Sequence, residues 1–535
     1  MAAADLAELL SRRAAEQPND RAYVALADRG GEEAAITFGE LDRRARALAG
    51  RIAEAAGPGE RALLLFPSGI EFVVALFACF HAGVIAVPLM PPRRNAARDA
   101  SAGILADCAP RIALSTPGLA LKDRIGGEVI WIASDETGNA PLPGAGEIAL
   151  LQYTSGSTSA PKGVVVGHAN LLANSAMICA ALGNTSRSTY VTWLPHYHDM
   201  GLIMHLLQSL YLGALCVVMS PVAFLQRPLN WLRAIGDYRA EVSGGPNFGY
   251  DLCASRYRPE QMQGIDLSSW RVAVNGAEPV REDTLRRFAE TFAPHGFSAE
   301  TMHPAYGMAE ATVLISAGGN RSTRRLGPSQ TVVGCGRALD GERIAVVDPE
   351  TRRRLEAGEI GEIWAAGPNV SRGYWRNPAA TQENFGAAIA GEDEAVWLRT
   401  GDLGFLGDGG DLFVTGRIKD IVIVRGTNHY PQDIEHTVES ADPALAAHGG
   451  AAFAVIDETG EERLVVVQEV ERSQRRRAEP KALAARIREA VVAGHDIVPL
   501  AVALLRPGAL PKTTSGKIQR AQARRLWLEG ALDIL

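Results

Sequence analysis

The stretch YTSGSTSAPKG, residues 153–163, gathers hydroxyls, glycines and one lysine into a run suited to an anion. Thr154, Ser155, Ser157 and Thr158 supply hydroxyls, Gly156 lets backbone N–H groups come close to an anion, and Lys162 adds a mobile point charge. The common nucleotide-phosphate loop, G-x4-G-K-[ST], does not fit. Counting from Gly156, Pro161 stands where the second glycine belongs, and Gly163 follows Lys162 where a hydroxyl would hold a divalent cation. A flexible Ser/Gly connector is the plain alternative, but a linker has no need of Pro-Lys-Gly leading straight into Val164, Val165 and Val166. No base is paired with Ser155 or Ser157, so neither reads as a nucleophile. The chemistry indicated is the holding and release of a polyphosphate.

Further groups able to do chemistry follow along the chain. YGMAEAT (residues 306–312) carries Tyr306 and Glu310, and RTGDLG (399–404) carries Asp402. GRIKD (416–420) carries Arg417 and Lys419, and LPKTTSGKIQR (510–520) carries Lys517. Taken singly these are an Asp in a turn, a core Tyr, a charged turn and a basic turn. LPHYHDMGLI (194–203) brings His196, His198 and Asp199 together, too few ligands for a zinc site.

The segments that must position these groups read as an α/β protein. RALLLFPSGIEFVVALFACFHAGVIAVPL, residues 61–89, alternates strand, turn, buried helix and strand, which implies mostly parallel sheets covered by helices. In ITFGELDRRARALAGRIAEA a strand gives way to a helix that starts near Thr37. The most apolar region, residues 72–90, is broken by His81, Gly83 and Pro88, so it reads as a buried helix and strand, with no membrane span. TYVTWLP, LCVVMSP, AEVSGGPN and WRVAVNGAEP read as further strands, most ending in turn or polar residues, where open α/β sheets bind ligands. After Val332, short strands and close turns suggest a small β-rich module. From Pro431 the pattern is helix, strands, helix, strand: a compact α+β unit. The expected domains are 1–418, binding the reactants, and 419–535, small and mobile. The charge runs RSQRRRAEPK and STRRLG read as solvated loops or a helix start.

With 535 residues the chain exceeds what one core supports. A net charge of -7 gives no reason to expect nucleic acid or an anionic membrane as partner. Six scattered cysteines without a CxxC read as buried thiols of a reducing compartment. Asp5 and Glu8 stand where an export signal needs a basic and then apolar run, so the expected location is the cytoplasm.

The loop at 153–163 and the motifs at 306–312, 399–404, 416–420 and 510–520, in this order, resemble the adenylate-forming superfamily of acyl-CoA synthetases, luciferases and nonribosomal-peptide adenylation domains. LPHYHDMGLI, GGPNFGYDLC (244–253) and GTNHYPQDIE (426–435) look like its fatty acyl-AMP ligase branch, and the match spans nearly the whole chain. The resemblance implies that a fatty or other hydrophobic carboxylate attacks the α-phosphorus of ATP, releasing pyrophosphate, and that the acyl group then passes to a thiol. Both reactants are anions, so catalysis amounts to positioning plus positive charge.

By resemblance, Thr154 to Thr158 and Lys162 hold the β,γ-phosphates, while Glu310, helped by Thr158, holds Mg²⁺. The segment NGAEP (Gly276, Ala277, Glu278) and Tyr306, Gly307, Met308 and Ala309 form the adenine slot. Asp402 takes the ribose hydroxyls, with Arg417 near ribose and phosphate. Lys517 is the adenylation lysine, an ordinary ammonium at neutral pH, and Lys419 sits at the hinge. His198, Asp199, Gly245, Pro246, Asn247 and Phe248 line the acyl side, in a shaping role. Typical members of the branch carry an extra segment after YGxAEAT that disfavours coenzyme A. Here residues 314–336 leave little room for it. The phosphopantetheine of an acyl carrier protein is the first expected acceptor, coenzyme A the second, and a downstream synthase or dedicated ligase a further partner. A catalytically silent scaffold on the same fold is the reading from another class, and the joint presence of Lys162, Glu310, Asp402 and Lys517 opposes it.

Overall fold

The computed structural model describes residues 3–91, 99–118, 128–154, 161–318, 322–326, 331–392, 396–424, 427–458, 461–475, 479–513 and 516–535. Two helix-covered sheets form the large part of the molecule. The first has six strands in the order Ile130–Ala133, Ile112–Ser115, Arg61–Leu65, Ile85–Pro88, Ile148–Thr154, Lys162–Gly167, parallel except for the last pair. The second has nine strands. Its centre runs Met302–Tyr306, Val272–Asn275, Val242–Gly245, Tyr190–Thr192, Cys216–Val218, Arg21–Leu26, all parallel, with antiparallel strands at both edges.

The helix Ile70–His81 explains why these sheets lie close together. Every residue of it except Glu71 is buried, and it touches strands of both sheets. A helix apolar on all sides has to be enclosed, and here protein encloses it. Thr37 caps the helix Phe38–Ala53, its Oγ1 accepting from the N–H of Glu40 at 3.2 Å.

Four central strands of the large sheet, ending at Thr192, Gly245, Asn275 and Tyr306, are followed directly by Trp193 to Asp199, Pro246 to Phe248, Gly276 to Glu278 and Gly307 to Glu310. Parallel pairing puts those four ends at one edge, so the topology assembles the candidate segments. A four-stranded antiparallel sheet (Arg343–Val347, Gly361–Ala366, Leu398–Leu406, Leu412–Arg417) forms the small β module and carries Asp402 and Arg417.

STRRLG differs from the solvated loop expected of it. Thr323–Arg325 is a strand paired antiparallel with Thr331–Val333. Leu326 and Val332 pack on Phe405 and Phe413 of the β module while the arginines stay exposed. In RSQRRRAEPK, residues 476–478 lie outside the described part, and the helix Pro480–His495 begins at its end.

The C-terminal unit is a three-stranded sheet, Leu445–Ile456, Glu462–Val470 and Ala501–Leu505. Alternation along its strands sends Ala452, Leu464 and Val466 to the helices Pro431–Ser440 and Pro480–His495, and Phe453, Val455, Val465 and Val467 to Arg520–Leu528. Arg520 ties this unit together. Its guanidinium donates to both oxygens of Glu435 at 2.7 Å and to Asp420 at 3.0 Å, and these partners hold its pKa above the usual value although burial works against the charge. Truncation to alanine would leave the buried Glu435 carboxylate with one backbone donor, Ala452 N–H. Arg520→Ala is expected to destabilise the C-terminal unit by about 3–5 kcal/mol. Arg520→Lys should recover only part of this, because an ammonium cannot make the paired contact. Urea unfolding followed by a probe in residues 431–535 checks both.

Candidate active site

Glu310 sits on a single 3-10 turn, Ala309–Ala311, directly after the strand Met302–Tyr306. The backbone around it is tightly constrained. A Cβ on Gly307 would lie 1.8 Å from the carbonyl oxygen of Val313, so only glycine fits. Thr312 holds a φ of 69°, unfavourable for a β-branched residue, and its Oγ1 donates to the carbonyl of Asn369 at 2.5 Å. The Glu310 carboxylate accepts from Tyr374 Oη at 2.8 Å. Burial pushes its pKa upward, and the Tyr374 hydrogen bond offsets only part of that.

Tyr374 also receives Lys162, whose Nζ lies 4.9 Å from the ring centroid. Backbone pairing fixes this relation: Trp375 N–H donates to Gly163 O at 2.7 Å and Val165 N–H to Gly373 O at 2.9 Å. Gly163 is required here too, since a Cβ would fall 2.8 Å from the Tyr153 ring. Ser155, Gly156, Ser157 and Thr158 lie outside the described residues, and of Thr154 only the backbone, paired with Lys162, is described.

Asp402 is buried between two donors. Tyr306 Oη reaches one carboxylate oxygen at 2.9 Å, and Arg417 Nε the other at 2.7 Å. Asp402 and Arg417 face each other as strand partners, and the Asp402 charge raises the Arg417 pKa well above its usual value. Tyr306 therefore orients the Asp402 carboxylate. Gly276 and Ala277 form the tight turn after Asn275, with Ala277 at a φ of 66°, and Glu278 accepts from the N–H of Phe248 at 2.6 Å.

Lys517 reaches this cluster from the C-terminal unit. Its loop is closed by Thr513 N–H to Lys517 O at 2.7 Å and Lys517 N–H to Thr513 Oγ1 at 3.0 Å. Gly516, at a φ of 87°, turns the chain so that a Cβ there would meet the Phe248 ring at 3.6 Å. Desolvation lowers the Lys517 pKa below the unperturbed value assumed from sequence. The charges of Asp199, Glu278 and Asp402 oppose that fall, and Arg417 adds to it.

LPHYHDMGLI divides in two. His198 Nδ1 lies 2.6 Å from Asp199 Oδ1. Burial works against ionisation of Asp199, but His198, Lys517 and the N–H of Met200 outweigh it and hold its pKa below the usual value. His196 instead packs on Phe72 at 5.2 Å, fully buried, with neither ring nitrogen partnered among the described residues. Burial takes its pKa down to about 3, so it is neutral. Gly245 is dictated by Trp193, whose ring would be 2.7 Å from a Cβ, and Phe248 meets the same ring at 5.7 Å. Asn247 is buried after Pro246 and ties Thr284 to Asn275. Lys419 is exposed on the turn Ile418–Asp420. Among the described residues, no group of three or more His, Cys, Asp or Glu forms a metal cluster.

Sequence reasoning missed Tyr374. Its only signal is SRGYW, where Gly373 and Tyr374 precede a helix. Glu310 is ionised at the expense of stability, because the folded state holds its proton more tightly than the unfolded chain does. That cost is absent below the unfolded carboxyl pKa of about 4.3 and complete above the folded value. Glu310→Gln is therefore expected to raise the thermal midpoint by a few degrees at pH 7–8, with the gain disappearing at about pH 4. Calorimetry across that range checks it.

Residues 10–375 match the family described as AMP-binding enzyme, and residues 419–535 match the AMP domain described as Disco-interacting protein 2-like. The chain is 43% identical to the medium-chain-fatty-acid--[acyl-carrier-protein] ligase JamA of Moorena producens (strain JHB), covering 99% of this chain and 96% of that protein. It is 35% identical to the 4-hydroxyphenylalkanoate adenylyltransferase of Mycobacterium tuberculosis, covering 99% and 92%. The solved structure of the fatty acyl-adenylate ligase from L. pneumophila in complex with acyl adenylate and pyrophosphate superposes with a TM-score of 0.75 at 36% identity, covering 99% of this chain and 97% of that one.

Proposed function

The chain belongs to the AMP-binding enzyme family, and from that premise we propose that it is a fatty acyl-AMP ligase with an acyl carrier protein as acceptor. A carboxylate oxygen of a fatty or other hydrophobic acid bonds to the α-phosphorus of ATP. The bond from that phosphorus to the bridging oxygen breaks, and pyrophosphate leaves with the electron pair. A phosphopantetheine sulfur then attacks the acyl carbonyl, and AMP departs while the thiol proton passes to solvent. The full-length similarity to a carrier-protein ligase supports this acceptor.

The observation that carries the reading is Lys517, brought by a separate unit into the field of Asp199, Glu278, Asp402 and Arg417. There its ammonium would face the carboxylate and the α-phosphate as negative charge moves to the bridging oxygen. Asp402, between Tyr306 and Arg417, would accept from the ribose hydroxyls, and Ala277 with Tyr306 would flank adenine. Lys162 and residues 154–158 would hold the departing phosphates. Glu310 is a single hard oxygen donor, which fits Mg²⁺, an ion that keeps most of its waters. Glu310, with Thr158, would hold that ion, and its positive charge offsets charge building on the phosphates. Phe248, Gly245, Pro246, Asn247, His198 and Asp199 would border the acyl group. Residues 1–418 and 419–535 are the two working bodies, with Lys419 at the hinge.

No helix among the described residues is long and apolar enough to cross a membrane, and the six cysteines are free thiols. The free thiols support a cytoplasmic site of action. Coenzyme A is the second reading, favoured by one observation: among the described residues of 314–336, Thr323–Arg325 and Thr331–Val333 form no more than a small antiparallel pair on the β module.

Decanoate and ATP, followed by either coenzyme A or a holo carrier protein, test the proposal. Pyrophosphate release with acyl-AMP that discharges to the carrier protein is expected, and rapid acyl-CoA formation overturns the acceptor. Lys517→Ala is expected to lower acyl-AMP formation about 10²–10³-fold while ATP still binds. Retained adenylation removes Lys517 from its role.

A further inference from the structure

The contact between the two bodies has a second element besides Lys517 itself. The helix Asn247–Ser255 and the start of the helix Glu282–Phe292 face the helix Pro431–Ser440 and a kink in the strand Leu445–Ile456. Two ionic bridges cross here. Arg281, capping the helix Glu282–Phe292, donates to Glu439 and lies 3.0 Å from Nδ1 of His436. Asp251 is 3.1 Å from Nε2 of His448 and is also paired with Arg287.

The bridges form one network. The N–H of His448 donates to Glu439 at 2.7 Å, so Glu439 links both crossings. His448 has a φ of 52° where strand pairing is interrupted between Leu445 and Gly450, a distortion that presents both its N–H and its ring to these carboxylates. On the large body, Thr284 donates to Asp251 at 3.0 Å, and Asn247 joins Thr284 to the N–H of Arg281. Burial opposes ionisation of Glu439, yet His436, Arg281 and His448 outweigh it and take its pKa down to about 2.

The location suggests the use. Phe248, where the loop carrying Lys517 rests, and Asp251, which holds His448, are three residues apart on one helix. A long, mobile lysine is positioned by where its body docks, and a misplacement of about 1 Å can cost about a hundredfold in rate. We propose that this double bridge is a docking clamp that positions Lys517, with Arg281, Asp251, Glu439 and His448 as positioning residues for acyl-AMP formation and not for thiol transfer. The proposal rests on the adenylation role proposed for Lys517. With Lys419 as the proposed hinge of a mobile C-terminal unit, transfer would follow withdrawal of Lys517, so contacts made in this arrangement alone would favour the first half-reaction only.

The test measures the two half-reactions separately in the full chain: single-turnover formation of decanoyl-AMP, and transfer from supplied decanoyl-AMP to pantetheine. Arg281→Glu and Glu439→Arg are each expected to slow the first about tenfold or more, with the KM for ATP nearly unchanged and transfer not slowed. The double exchange should restore most of the first rate. Asp251→Asn, which keeps the side-chain shape, should slow the same half-reaction and serves if a charge reversal lowers the thermal midpoint below the assay temperature. The clamp is overturned if the single variants adenylate within about twofold of the parent. It is equally overturned if both half-reactions fall together and the exchange does not restore them. Lys517→Ala in the same assay separates the two ideas. If it adenylates, the role of Lys517 falls; if it fails while Arg281→Glu does not, the clamp alone falls.

Discussion

The arrangement depends on charge compensation in a partly dry cleft. Carboxylates there come from four separate segments: Asp199, Glu278, Glu310 and Asp402. Each would be costly without a donor; Asp199 finds its donors in its chain neighbours, and the other three have theirs supplied by a distant part of the chain. His198 and Met200 N–H serve Asp199, Phe248 N–H serves Glu278, Tyr374 serves Glu310, and Tyr306 with Arg417 serve Asp402. The requirement passes to the backbone. Gly307 has no room for a side chain, Thr312 tolerates a left-handed φ, and residues 373–375 pair with the strand Lys162–Gly167 so that Tyr374 meets both Glu310 and Lys162. The positive φ at Thr312 is accordingly found beside a buried carboxylate whose pKa burial raises.

Much of this was legible in the sequence. Continuous apolar runs bounded by glycine and proline identify parallel, doubly covered strands, and the segments after those strands carry the candidate residues because parallel pairing collects strand ends on one edge. Asp402 and Lys517 could be named because motif order overrides the plain reading of each as a turn residue. Tyr374 was not legible, because its role comes from a bridge between residues far apart in the chain, Val164 and Tyr374. The strand Thr323–Arg325 was hidden by its own arginines, since all three of its residues are exposed and the buried Val332 and Val333 lie on its partner. His196 and His198 are two positions apart, a spacing that would put them on one face of a strand. The turn closed by His198 N–H on Pro195 O at 3.1 Å sends one into the core and the other to the cleft.

Placing the principal cation on a second body has a physical logic. An ammonium built into the large body beside Asp199 and Asp402 would bind those carboxylates permanently and would resist any later approach of a thiol. Carried on the C-terminal unit, it can be supplied for one step and withdrawn for the next, provided its loop is stiff and its docking position is defined. The hydrogen bonds between Thr513 and Lys517 supply the stiffness. Arg520, three residues on, binds the loop to Glu435 and to Asp420 beside Lys419, so motion at that turn, the proposed hinge, would carry the lysine with it rather than bend the loop. If the C-terminal unit moves as proposed, the desolvation that lowers the Lys517 pKa would be relieved when it undocks. Docking therefore raises the free energy of the lysine charge when the cleft is empty. An incoming carboxylate and phosphate relieve that cost, and this coupling would make closure depend on having both reactants in place.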